Sequence, residues 1–209
     1  MASQGLRELK KARTRQLIAD VAARLFAERG YEHVLVSDVA REAEVSEQTV
    51  YNYFPSKEQL VIDRDQQIQD ELTELIRARA PGVSAAAAIR DYVLASVDAI
   101  PTISPKTWRG ELGYLALMSP TVHRLSLEMT DRQAGAIADA ISDTTPVIPE
   151  VATLQGIALA SVYQLIFSHA GQQSHEGRSQ TEIASELRPI IEAVLDELDR
   201  WLSLSQHSR

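Results

Sequence analysis

The sequence has no cysteine, only nine glycines and eight prolines, eleven aromatics, and no apolar run long enough to cross a bilayer. Without cysteine there is neither a disulfide framework nor a thiolate metal site. The longest apolar stretch, residues 156–167, is broken by Ser161 and Gln164 and falls short of the roughly 20 residues a spanning helix needs. From Arg7 onward the N-terminus is charged and lacks an apolar core segment, so no secretory signal is expected. These absences point to a cytoplasmic chain with no membrane partner. At 209 residues it is long enough to bury a core without staples.

What is present is acid and helix. The formal charge is −8, which taken as a sum argues against a nucleic-acid partner. Its distribution argues otherwise. Residues 1–15 carry +4 through Arg7, Lys10, Lys11, Arg13 and Arg15, residues 16–58 carry −4, and residues 59–209 hold the remaining −8. The split reads as a basic N-terminal arm on an acidic body, which is either a phosphate-meeting segment or simply a solubilising terminus.

Apolar residues recur at helical spacing along nearly the whole chain, and no strand-like alternation competes, so the fold class is all-α. A first helix over about 8–29 carries Ile18, Val21, Ala22, Leu25 and Phe26 on one face and ends at Gly30. Short helices over 37–44 and 47–54 are joined by a tight turn at Val45 and Ser46, the signature of a helix-turn-helix. Ser46 is placed to cap the second of them and Pro55 to stop it. A long helix is predicted over 56–79, then helices over 84–99, 106–118, 120–142, 149–170 and 180–204. Pro189 either kinks the last helix or marks a late start.

The run Arg15-x-x-Ile18, Ala22-x-x-Leu25-Phe26-x-x-x-Gly30-Tyr31, Asp38-Val39-Ala40-x-x-Ala43-x-Val45-Ser46, Thr49-Val50-Tyr51-x-Tyr53-Phe54-x-x-Lys57-x-x-Leu60 resembles the N-terminal domain of TetR-family transcriptional regulators over about residues 13–62. The rest matches that family only in being helical and of suitable length. The resemblance implies a DNA-binding domain over 1–58 and a helical effector-binding and dimerisation domain over 59–209. It also implies a homodimer on a palindromic operator with half-sites about 34–36 Å apart or a multiple of that. The implied function is a repressor released by a small-molecule effector. An activator, a regulator without an effector, and a helical small-molecule enzyme are the alternatives. The enzyme finds no support in a nucleophile, phosphate-loop or metal-ligand motif, and no cofactor is expected.

On the reading helix, Glu47, Gln48, Tyr51 and Asn52 point away from the packed pair Val50 and Phe54. Gln48 is the strongest base reader, since an amide pairs bidentately with adenine. Thr49 offers a methyl to thymine or a hydroxyl to phosphate. Glu47 either accepts from cytosine or simply complements the helix dipole. The resemblance implies backbone contacts from Tyr51, Tyr53 and Lys57, against plain packing for Tyr53 and a solvated surface role for Lys57. Lys10, Lys11 and Arg13 are expected on phosphate or in the neighbouring minor groove.

Two departures from the family stand out. Leu35 replaces a usual capping threonine, leaving Ser37 to take over its phosphate contact. Glu44 replaces a turn glycine and must accept the turn's backbone at a cost in strain.

For the effector, the middle helices offer Tyr92, Trp108, Arg109, Glu111, Leu112, Leu115, Met118, Met129, Tyr163 and Phe167, a mix suited to an aromatic or amphipathic molecule. For the dimer, the resemblance points to the last two helices. There the candidates are Gly156, Ala160, Ile183, Leu187, Ile191, Val194, Leu198 and Trp201. His123, His169 and His175 are too scattered for a metal site, and His169 is expected near a helix end.

Overall fold

The computed structural model describes residues 2–63 and 65–207, and the side chains of 9–63 and 65–203. Among the described residues there are nine α-helices and no strand: α1 Ala2–Arg29, α2 Val36–Glu42, α3 Glu47–Tyr53, α4 Asp65–Ala78, α5 Ala85–Asp98, α6 Leu112–Met118, α7 Pro120–Ser142, α8 Pro149–His175 and α9 Gln180–His207.

The first three helices form a head. Ile18, Ala22, Leu25 and Phe26 of α1 close over Val39, Ala40 and Ala43 of α2 and over Val50 and Phe54, all nearly or wholly out of solvent. Burying a side chain of this size contributes about 1.5–3 kcal/mol. Helix α1 starts well before the predicted residue 8, so the basic arm is a helical extension and not a separate strand.

The expected helix over 56–79 is interrupted. Leu60 and Ile62 are both buried in the head, and residues two apart cannot share one face of an α-helix. The chain meets that demand with a 3₁₀ turn at Glu58–Leu60 and begins α4 only at Asp65.

The body is an α-bundle of α4 to α9. Helices α7 and α8 lie along each other, with α6 against α8, α4 against α7, and α9 against α5 and α8. Gly113 and Gly171 bring α6 and α8 into backbone contact: a Cβ added at Gly171 would stand 2.1 Å from the Gly113 carbonyl oxygen. Gly171 is therefore a packing residue inside α8, which runs past the expected end at 170, and His169 lies within the helix. Gly110 likewise lets the 3₁₀ turn Trp108–Gly110 rest on the backbone of Ala23, which is why the expected helix over 106–118 begins only at Leu112. Helix α9 runs through Pro189, which does not mark its start.

The two cores meet at the joint. Leu112 and Leu115 of α6 and Val122 and Met129 of α7 belong to the head's apolar cluster, and Phe167 of α8 packs against both clusters.

Candidate nucleic-acid interface and ligand site

Helix α3 is fixed at both ends by its own sequence. The Ser46 hydroxyl accepts from the Thr49 N–H at 3.0 Å, and Phe54 seals the far end in the core. Val50 points inward, which leaves Glu47, Gln48, Tyr51 and Asn52 exposed on one side. Gln48 Nε2 donates to Asn52 Oδ1 at 3.1 Å, so the two amides stand as an ordered pair one helical turn apart. Thr49 is half-buried, its hydroxyl 2.8 Å from that of Ser46, while Ser37 lies half-exposed in the first turn of α2.

Tyr51 is 44% exposed, whereas Tyr53 is half-buried against the head core. Lys57 is not a free surface lysine. Its Nζ donates to the Tyr31 carbonyl at 2.6 Å and sits 4.0 Å over the Tyr31 ring. Loss of water around the ammonium pulls its pKa below the usual lysine value. Burial, with Glu58 and Glu32 nearby, pushes the Tyr31 phenol up to about 12.

Arg15 also belongs to the architecture. It donates to the Tyr53 carbonyl at 2.7 Å and to the Asp63 carbonyl at 3.4 Å, with its guanidinium 4.4 Å over the Phe54 ring. It stitches α1 to the end of the reading helix, a role the sequence reading, which counted it with the basic arm, did not assign. Lys10, Lys11 and Arg13 remain exposed on the helical arm.

At the start of α2, Leu35 is 63% exposed and its side chain caps nothing; its N–H donates to Asp38 Oδ2 at 3.0 Å. Glu44 has φ 55, the left-handed conformation expected of a turn glycine, and is the one non-glycine among the described residues with positive φ.

The predicted effector residues do not form one cavity. Leu112, Leu115 and Met129 are buried in the head cluster, where they hold α6 and α7 to the head. Tyr163 is buried in the body core with its hydroxyl 3.1 Å from that of Ser96, and Tyr92 and Trp108 pack on the same core. Arg109 is exposed, its guanidinium 5.6 Å from the Tyr114 ring, and Glu111 is the extended residue before α6. Only Met118 and Phe167 line the main groove, together with residues the sequence did not single out for it: Leu165, Gln164, His123 and His169.

Most of the predicted dimer residues are also spoken for. Gly156 faces the Ala134 carbonyl of α7, and Ala160, Ile183, Leu187 and Ile191 are buried within the subunit. Val194 and Leu198 pack partly on that core, while Trp201 is 41% exposed. The exposed apolar face lies a third of a turn away: Leu154, Ile157 and Leu165 of α8, joined by Ser161 and Ser168 at three- and four-residue spacing. Helix α8 is long and apolar enough to cross a membrane by length and composition, and it packs here against α6, α7 and α9.

Residues 18–63 match the family model described as bacterial regulatory proteins, tetR family. The HTH-type transcriptional regulator TcmR of Streptomyces glaucescens is 33% identical over 78 residues, 37% of this chain and 34% of that protein. The HTH-type transcriptional regulator BetI of Agrobacterium fabrum (strain C58 / ATCC 33970) is 36% identical over 72 residues, 32% and 35% of the two chains. The match thus spans about a third of the length of these curated relatives. Over the whole chain the likeness is one of fold. NalD, the secondary repressor of the MexAB-OprM multidrug efflux pump in Pseudomonas aeruginosa, superposes with a TM-score of 0.56 at 18% identity, covering 90% of this chain and 96% of that one.

Proposed function

From the match of residues 18–63 to the tetR-family model, we propose that the chain is a TetR-family protein: a homodimeric, cytoplasmic transcriptional repressor that leaves a palindromic operator when a small molecule binds its body. The observation that carries the DNA-binding reading is the free polar face of α3, with Glu47, Gln48, Tyr51 and Asn52 exposed on a helix pinned at both ends. A rigid short helix with an ordered Gln48 and Asn52 pair suits direct reading of base edges in a major groove.

Phosphate contact falls to few groups. The head from 16 to 58 is acidic, Arg15 is engaged, and Lys57 has one of its three donors on Tyr31. Lys10, Lys11 and Arg13 are exposed, and they stand on a helix. An α-helix is about 10 Å wide with its side chains and the minor groove about 6 Å, so these residues suit phosphates and not the groove floor.

The exposed stripe of α8, with Ile190 and Trp201 of α9, supports dimerisation through the last two helices. A head that runs on through Leu60 and Ile62, past the expected boundary at 58, and a body from α4 onward divide these tasks. Fluorescence anisotropy with DNA flanking the chain's own gene tests the reading: specific binding of two protomers per site is expected, and its absence overturns it. Deleting residues 1–12 should lower the slope of log K against log salt by about two for each arm, since the phosphate contacts of Lys10 and Lys11 are lost while Arg13 remains. An unchanged slope would remove the arm from the interface.

A further inference from the structure

Between the end of α6, the first turns of α7 and the middle of α8 lies a groove of about 810 Å³, within the roughly 300–1,000 Å³ of small-molecule sites. Its apolar wall is built by Met118, Leu165 and Phe167. On a chain of charge −8, no lysine, arginine, aspartate or glutamate lines it. Its polar groups include His123, Gln164, whose Oε1 is within 3.1 Å of the Thr130 hydroxyl, and His169, whose Nε2 is buried with no hydrogen-bond partner. A buried polar atom without a partner is costly, and here it belongs to a residue that lines a space large enough to hold one.

We infer that this groove binds an uncharged, ring-bearing molecule that places a hydroxyl on His169 Nε2. An imidazole nitrogen donates or accepts according to tautomer, and a hydroxyl answers either. A carboxylate or ammonium would enter without a counter-charge. Phe167 and the Met118 thioether favour an aromatic body. The effect on DNA rests on the repressor reading; the site itself does not. Met118 ends the same helix whose Leu112 and Leu115 lie in the head core, so an occupant of the groove bears directly on the element that holds the head.

The test uses the full chain with the neutral fluorophore N-phenyl-1-naphthylamine, displaced by naphthalene, 2-naphthol or 2-naphthalenesulfonate. The fluorophore should bind, and 2-naphthol should displace it about three- to tenfold better than naphthalene, as one hydrogen bond at a buried atom predicts, with the sulfonate weakest. His169→Leu should bring 2-naphthol down to naphthalene while fluorophore binding persists. Met118→Trp, at an exposed position that leaves folding intact, should block all three. No fluorophore binding, a preference for the sulfonate, an undiminished hydroxyl preference in H169L, or binding unaffected by M118W would each overturn the proposal. So would binding only to a monomeric variant, which would make a second copy the occupant. Specific DNA binding without fluorophore binding sinks the groove and spares the repressor; fluorophore binding with the expected order, but without specific DNA binding, does the reverse.

Discussion

Glu44 pays for its turn at every moment the protein is folded. Its φ of 55 is a conformation that costs an L-residue about 1 kcal/mol and a glycine almost nothing. Glu44→Gly should therefore raise stability by about 0.5–1 kcal/mol, read as a higher urea midpoint at constant slope. Leu35 is the second correctable residue. Leu35→Thr supplies the missing acceptor at the start of α2 and should add about 1 kcal/mol on the same measurement. The Ser46 cap was legible in the sequence because it depends on neighbours within four residues, whereas Leu35 and Glu44 stood out only against the pattern of the family the sequence resembles. The partners of Lys57 and Arg15 were not. Tyr31 lies 26 residues from the first, and Tyr53 and Asp63 lie 38 and 48 from the second, distances at which only the folded chain decides who meets whom.

At the scale of the element, periodicity tells which positions of a helix share a face but not which neighbour covers that face. The pattern of α9 named Ile183, Leu187 and Ile191 correctly as apolar and together, and the fold buries them inside the subunit. On α8, the small residues Gly156 and Ala160 are taken up within the subunit, which leaves Leu154, Ile157 and Leu165 outward. Ile157→Glu should therefore produce a monomer at micromolar concentration in sedimentation velocity, with helix content unchanged, because a carboxylate at a close helix contact would be stripped of water without a partner. The same substitution at Ile190, 38% exposed, tests whether α9 shares the contact. Helix ends misread from the sequence include those set by glycine packing backbone on backbone: the expected helix over 106–118 was read through Gly110 and that over 149–170 was stopped before Gly171, and in the fold both glycines act as contacts.

Across the whole molecule, two carboxylates of opposite habit fasten α7: Glu32 ties the head to its N-terminus, and Asp65 ties the start of α4 to its middle within the body. Glu32 of the head accepts from the Ser119 hydroxyl at 2.6 Å, which holds its pKa below the usual glutamate value. Its contribution to stability is full above about pH 4 and is lost as pH falls through the lowered folded pKa. Asp65, at the start of α4, accepts from Arg132 and Gln133, each at 3.0 Å, but burial outweighs these partners and raises its pKa. Its contribution is full below about pH 4 and is lost as pH rises through the raised folded pKa. In urea titrations across this range, Glu32→Gln should flatten the acid side of the stability profile and Asp65→Asn the side above pH 4. Identical profiles for wild type and variants would show that neither carboxylate governs these ties to α7.

The four body residues Leu112, Leu115, Val122 and Met129 that complete the head's core carry a consequence for folding itself. The cooperative unit does not respect the covalent order of the chain. A fragment ending at residue 63 would lack part of its own interior, so it should show fluctuating packing and bind dyes specific for exposed apolar surface, although its local helix signals are complete. In the intact chain, amide hydrogens of α1 and α6 should exchange at one common rate, as members of a single opening event, while those at the outer ends of α9 exchange sooner.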